Sequence, residues 1–130
     1  MKHATGTFEV KLQPETPGTG AGEVGRMTID KVFKGDLEGS SKGQMLAMMT
    51  GVKESAGYVA MEFVTGTLHG RRGAFALQHS GTMNRGVPQL SVTVVPDSGT
   101  GELAGLSGRM TIDLSGGKHA YFFDYAIVHP

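Results

Sequence analysis

Apolar and polar residues alternate with a period of two along most of this chain. From Ala4 to Leu12, Phe8, Val10 and Leu12 fall on one side and Thr7, Glu9 and Lys11 on the other, the pattern of a half-buried strand. Val24 to Phe33 repeats it, with Gly25, Met27, Ile29 and Phe33 against Arg26, Thr28 and Asp30. Lys34-Gly35-Asp36 reads as a short turn. A third strand from Leu37 then sets Gly39, Ser41, Gly43, Met45, Ala47 and Met49 on its apolar side. Gln44 to Met49 contains good helix formers, but the run is short and bounded by glycines, so strand is assigned. Between the first two strands, Gln13 to Glu23 is rich in Pro and Gly and is expected to be loop.

The longest alternating stretch, Ala56 to Met83, predicts two strands joined by a tight turn. With Arg71 and Arg72 at the tip between Gly70 and Gly73, Leu68 lies opposite Phe75, Val64 opposite His79 and Glu62 opposite Gly81. One face then carries Tyr58, Ala60, Glu62, Val64, Leu68, Phe75, Leu77, His79 and Met83. It is the more apolar face and is expected to point inward, although the other face holds Met61 and Phe63. Gln89 to Val95 supplies Leu90, Val92 and Val94 inward, and Pro96 to Gly101 is loop. The last two strands pair around Ser115-Gly116-Gly117-Lys118, with Ile112 opposite Tyr121, Met110 opposite Phe123 and Gly108 opposite Tyr125. Gly25-Arg-Met-Thr-Ile-Asp30 recurs as Gly108-Arg-Met-Thr-Ile-Asp113. Its outward Arg-x-Thr-x-Asp side suits cross-strand pairing, or a contact between copies.

About eight strands joined in order by short turns predict a single all-β domain over residues 1–130. The expected fold is an eight-stranded antiparallel up-and-down barrel, since closure removes both sheet edges. Eight strands enclose an interior that side chains can fill or that can hold one small ligand. Composition agrees: 21 glycines, no Trp and no Cys describe a turn-rich β protein without disulfides. Twelve basic and twelve acidic residues cancel, which argues against a nucleic-acid partner. No apolar run reaches the length of a membrane span, the first residues lack a signal-peptide core, and a cytoplasmic location is expected.

Glu62 and His79 form the candidate catalytic pair. Both lie on the inward face of adjacent strands, where an acid and an imidazole can act as general acid and base or polarise a carbonyl; equally, they can satisfy each other and tie two strands together. Tyr58, Phe75, Tyr121 and Tyr125 are the candidate ligand-lining residues. His3, His69, His119 and His129 are scattered near strand ends and follow no metal-ligand spacing, so neither a metal nor another cofactor is expected. Gly18-Thr-Gly20-Ala-Gly22 and Gly99-Thr-Gly101-Glu-Leu-Ala-Gly105 imitate phosphate and dinucleotide loops in spacing only, since no amphipathic helix follows either.

Lys31-Val-Phe-Lys-Gly-Asp-Leu-Glu-Gly-Ser-Ser, Gly57-Tyr-Val-Ala-Met-Glu62, Gly70-Arg-Arg-Gly-Ala-Phe-Ala-Leu-Gln-His79-Ser-Gly, Val94-Val-Pro-Asp-Ser-Gly-Thr-Gly-Glu-Leu-Ala-Gly105 and Tyr121-Phe-Phe-Asp-Tyr125 resemble a bacterial family of uncharacterised proteins. Those proteins look like the allene oxide cyclase barrel in fold. The resemblance covers nearly the whole chain and implies the eight-stranded barrel, but no reaction. Three functions follow from these observations. The first is a barrel that binds a small molecule in a mainly apolar lumen. The second is a cofactor-independent enzyme of cyclase or isomerase type using Glu62 and His79. The third is a structural barrel, packed throughout, that forms homo-oligomers.

Overall fold

The computed structural model describes residues 1–16, 20–114 and 117–128. Its strands are β1 (Lys2–Thr16), β2 (Gly25–Gly35), β3 (Leu37–Met49), β4 (Ala56–Leu68), β5 (Arg71–Asn84), β6 (Val87–Val94), β7 (Thr100–Gly101), β8 (Leu106–Asp113) and β9 (His119–Ile127). Each long strand pairs antiparallel with the next. β9 returns to β1, and β4 to β5 completes the closure. The result is a closed eight-stranded antiparallel barrel with one additional two-residue strand, as the alternation predicts. No α-helix occurs among the described residues.

Pairing can be followed once round the barrel from Pro14 through Met27, Met45, Ala60, His79, Val92, Met110 and Phe123 to Ala4. The circuit closes on β1, ten residues from where it began. That stagger is the tilt an eight-stranded barrel needs in order to close around a filled or narrowly hollow interior.

The β8–β9 register is the predicted one, with Gly108, Met110 and Ile112 opposite Tyr125, Phe123 and Tyr121. The turn between these strands includes Ser115 and Gly116, which lie outside the described residues.

The β4–β5 register differs from expectation. Leu68 faces Arg71, Val64 faces Phe75 and Ala60 faces His79. The tip is His69-Gly70, both with positive φ (46° and 80°). Two left-handed central residues make the primed turn whose twist matches the flanking strands. Histidine tolerates that region better than most side chains, so Arg71 and Arg72 enter the strand. The displacement is an even number of residues, and every side chain keeps its predicted face.

Two further differences concern the loops. β1 continues through Pro14 to Thr16, where a loop was expected. Beyond Phe8 it no longer pairs with β9, so one edge is free and a proline there forfeits no ladder bond. Pro17, Gly18 and Thr19 fall outside the described residues, and with them part of the Gly18-Thr-Gly20-Ala-Gly22 run. The excursion after β6 contains β7, which pairs with Gly73 and Ala74, and it buries Leu103 completely beneath the barrel end.

Side chains facing the lumen are not evenly buried. At the end formed by Leu37, Leu68, Leu103 and Leu106 they pack solidly with Phe33, Phe75, Phe123 and Tyr125. Toward the other end the same inward rows open to solvent. Leu12, paired with buried Ile29, is 46% exposed; Leu90, paired with buried Gly81, is 41% exposed; Met83 is 40% exposed. Paired residues share a sheet face, so this exposure belongs to an open mouth rather than to the outer wall.

Candidate functional site

A buried ionic cluster lies midway along the lumen, where the packed end gives way to the mouth. Lys31 on β2 and Ser41 on β3 are directly opposite each other. Glu62 on β4 is diagonal to Ser41, and His79 on β5 is diagonal to Glu62. All four are nearly fully buried. Glu62 Oε1 accepts from Lys31 Nζ at 2.9 Å and from His79 Nε2 at 2.6 Å, while Oε2 accepts from Ser41 Oγ at 2.5 Å. An ionised carboxylate only accepts, so the proton in the histidine bond sits on Nε2.

Burial raises the Glu62 carboxyl, but the opposing interactions outweigh it. The hydrogen bond from His79 comes first, followed by the charge of Lys31 and the bonds from Ser41 and Lys31, and together they hold the group down to about 2. Glu62 therefore remains ionised throughout the neutral range, a weak proton acceptor and no proton donor. Lys31 Nζ also stands 4.9 Å above the Phe8 ring and 5.8 Å from that of Phe33, so aromatic faces cover the ammonium where oxygen does not. Ser41 and His79 both donate to Glu62 and thus do not form an activated hydroxyl–imidazole pair, which requires the base to accept from the nucleophile. Among the described residues, no group of three or more His, Cys, Asp or Glu could hold a metal ion.

The predicted pair of Glu62 and His79 is brought into contact. Lys31 is the member that sequence reasoning missed. It occupies an inward position between Ile29 and Phe33, so the period of two marks it, but a lysine on an apolar face carries no signal of its partner until β4 is registered against β3. The alternation puts Ser41 inward, but only as a small residue.

The four predicted lining residues separate. Phe75, Tyr121 and Tyr125 are at most 1% exposed and belong to the packed half. The Tyr121 hydroxyl accepts from Leu37 N–H at 2.8 Å and reaches the Lys34 and Leu37 carbonyls, locking the β2–β3 turn. The Tyr125 hydroxyl bonds His69 Nδ1 at 2.5 Å, and His69 Nε2 lies 3.4 Å from Asp36, joining two turns at the closed end. These three side chains belong to the hydrophobic core at the closed end. Tyr58 alone stands near the mouth. Its ring lies across Gly81, where an added Cβ would come within 2.3 Å of Cε1. Burial pushes its phenol upward, keeping it neutral. Two open crevices, of about 420 and 400 Å³, lie elsewhere: one over Thr28, Asp30, Lys42 and Gln44, the other between residues 7–10 and 117–119.

A closed antiparallel barrel with an ionic cluster at its waist and one open end is the class that fold and site define. Residues 4–125 match the family described as protein of unknown function (DUF3224), and the chain belongs to that family. It is also similar to a solved structure from Shewanella oneidensis MR-1, a DUF3224 protein with unknown function. The two are 50% identical with a TM-score of 0.94, over 100% of this chain and 99% of that one. No curated protein matches. Among the described residues, no helix is long and apolar enough to cross a membrane.

Proposed function

We propose that this protein is a binding barrel that takes one small, neutral, mainly apolar molecule through its open end. The observation that carries this reading is the solvent exposure of inward-facing Leu12, Met83 and Leu90 at one end of a barrel whose other end is solid. Methionines recur on the inward rows there, at Met27, Met45, Met49 and Met83. Their flexible, polarisable side chains suit a surface that must adapt to a guest. The side chains lining this end offer the Tyr58 hydroxyl as a polar handle, and a pocket of this kind orients an apolar ligand through few polar groups.

In this reading the Lys31–Glu62–His79–Ser41 cluster is the floor of the site. It anchors four consecutive strands at the depth where packing ends. A carboxylate already engaged by three donors suits anchoring better than turnover, which makes the cyclase or isomerase function the lesser one.

Titration with Nile red, a neutral apolar dye, tests the proposal. Saturable binding of one dye per chain with blue-shifted emission is expected, and Ala47→Trp, which fills the mouth, should abolish it while Phe63→Glu on the outer wall leaves it intact. Absence of saturable binding, or binding unchanged by Ala47→Trp, overturns the proposal.

A further inference from the structure

We propose that the outer wall formed by β4, β5 and β6 is the contact face of a two-fold homodimer. The evidence is an uneven distribution of charge around the outside of the barrel. Across 59–67, 74–82 and 87–93 the only ionisable side chains are Glu62 and His79, and both point into the lumen. Elsewhere the outward rows carry charge at regular intervals: Glu9 and Lys11 on β1, Arg26 and Asp30 on β2, Glu38 and Lys42 on β3, Arg109 on β8, Asp124 on β9.

The neutral wall is also apolar at its edge. Val59, Met61 and Phe63 occupy successive outward positions of β4 and are 53%, 49% and 53% exposed. Leu46 of β3, directly opposite Val59, adds a fourth large side chain at 46%. Toward β6 the surface turns to Gln78, Ser80, Ser91 and Thr93, with Gln78 opposite Thr93 and Ser80 opposite Ser91. A charge-depleted surface that includes several large apolar side chains has the composition of an interface core.

A second copy of this chain is the occupant that fits. Lys42 of β3 lies directly opposite Phe63 at the border of this face; across β4, β5 and β6 themselves, a partner bearing charges would have to desolvate them with no counter-charge in return. An identical face brings apolar side chains to apolar side chains. Its amides and hydroxyls each donate and accept, so they can pair with themselves across a two-fold axis. Three strands about 4.8 Å apart, followed for roughly ten residues, present on the order of 500 Å² in projection before side-chain relief is counted. This is below the roughly 800 Å² per partner of a standard interface and is the size of a weak dimer. The wall lies on the flank of the barrel, so pairing leaves the mouth open.

Sedimentation equilibrium tests this. The parent chain should sediment at twice its 13.7 kDa at about 100 µM, and Phe63→Glu should weaken association by about 100-fold or more. Val32→Glu, equally exposed but on β2, should leave the dimer unchanged. Because the chain contains no cysteine, single Met61→Cys, Gln78→Cys and Ser91→Cys variants give a second readout, and the one nearest the two-fold axis should form a disulfide-linked dimer under mild oxidation. A parent that stays monomeric overturns the proposal. So does a dimer that survives Phe63→Glu, or one that cross-links from Thr111→Cys on β8 instead of from Met61→Cys, Gln78→Cys or Ser91→Cys.

Discussion

His79 Nε2 lies 2.6 Å from Glu62 Oε1 although the two residues do not face each other, since Glu62 is paired with Leu77 and His79 with Ala60. The contact is diagonal across the β4–β5 ladder, within the reach of long side chains on one sheet face. Lys31 completes it from β2, two strands away from β4, and a barrel interior is narrow enough to allow this. The cluster thus joins β2, β3, β4 and β5 through one carboxylate.

Removing that carboxylate strands its partners. Glu62→Gln leaves the Lys31 ammonium buried with no counter-charge and should cost about 3–5 kcal/mol, the range seen when one member of a buried pair is deleted. Replacing both, as Lys31→Met with Glu62→Leu, removes the unpaired ammonium and should recover that part of the loss, while His79 and Ser41, still buried without their acceptor, keep the double variant below the parent. Urea denaturation of the parent, the single variants and the double variant measures both effects. A Glu62→Gln variant within about 1 kcal/mol of the parent would show that the cluster does not hold the fold.

The same cluster sets an acid limit on stability. The Glu62 carboxyl titrates at about 2 in the folded chain against 4.5 for the unperturbed group. A depressed folded value contributes stability that is fully present above about pH 4.5 and is lost as pH falls toward 2. The loss amounts to about 3 kcal/mol over that window. Chemical denaturation at a series of pH values should show this slope in the parent and a shallower one in Glu62→Gln. Equal slopes in both would remove Glu62 from the account.

Much of this fold was legible because alternation is a strong signal. Phe8, Ile29, Val64 and Leu77 declare their faces without any knowledge of their neighbours. Faces survive register errors of even length, which is why alternation puts Glu62 and His79 on a common inward face even with the turn at Arg71-Arg72 instead of His69-Gly70. What alternation cannot convey is depth along the barrel axis. Phe75, Tyr121 and Tyr58 share the inward signature, yet two are sealed at the closed end and one stands near the mouth. Depth depends on the ten-residue stagger, which accumulates over all eight strands. The partner of Lys31 was hidden for the same reason, because it sits on a strand that is not adjacent to its own.

Tyr58 and Gly81 form a coupled pair across β4 and β5, with the ring occupying the space a side chain at 81 would need. Gly81→Ala should push the ring toward the mouth and cost about 1–3 kcal/mol, as overpacking does. In a Tyr58→Leu background the same substitution should cost distinctly less, because the obstructing ring atoms are gone. The double-mutant cycle from thermal unfolding measures the coupling, and additive losses would mean that the contact carries no energy.

The barrel should open first between β6 and β8. Their registered pairs among the described residues are Val92 with Met110 and Thr93 with Arg109, although each strand is eight residues long. β3 and β4, by contrast, are registered from Leu37–Leu68 to Met49–Ala56. Local opening follows the density of protected backbone hydrogen bonds, and a seam with so few should part at a lower free energy than the global transition. Hydrogen exchange read by mass spectrometry should therefore show amides on the facing edges of β6 and β8 exchanging well before those in the middle of β3 and β4. Val92 is fully buried and Met110 nearly so, so Val92→Ala should hasten exchange at this seam more than at β3–β4. Uniform protection around the barrel would mean that the packed interior, and not the ladder, sets the opening energy of every strand.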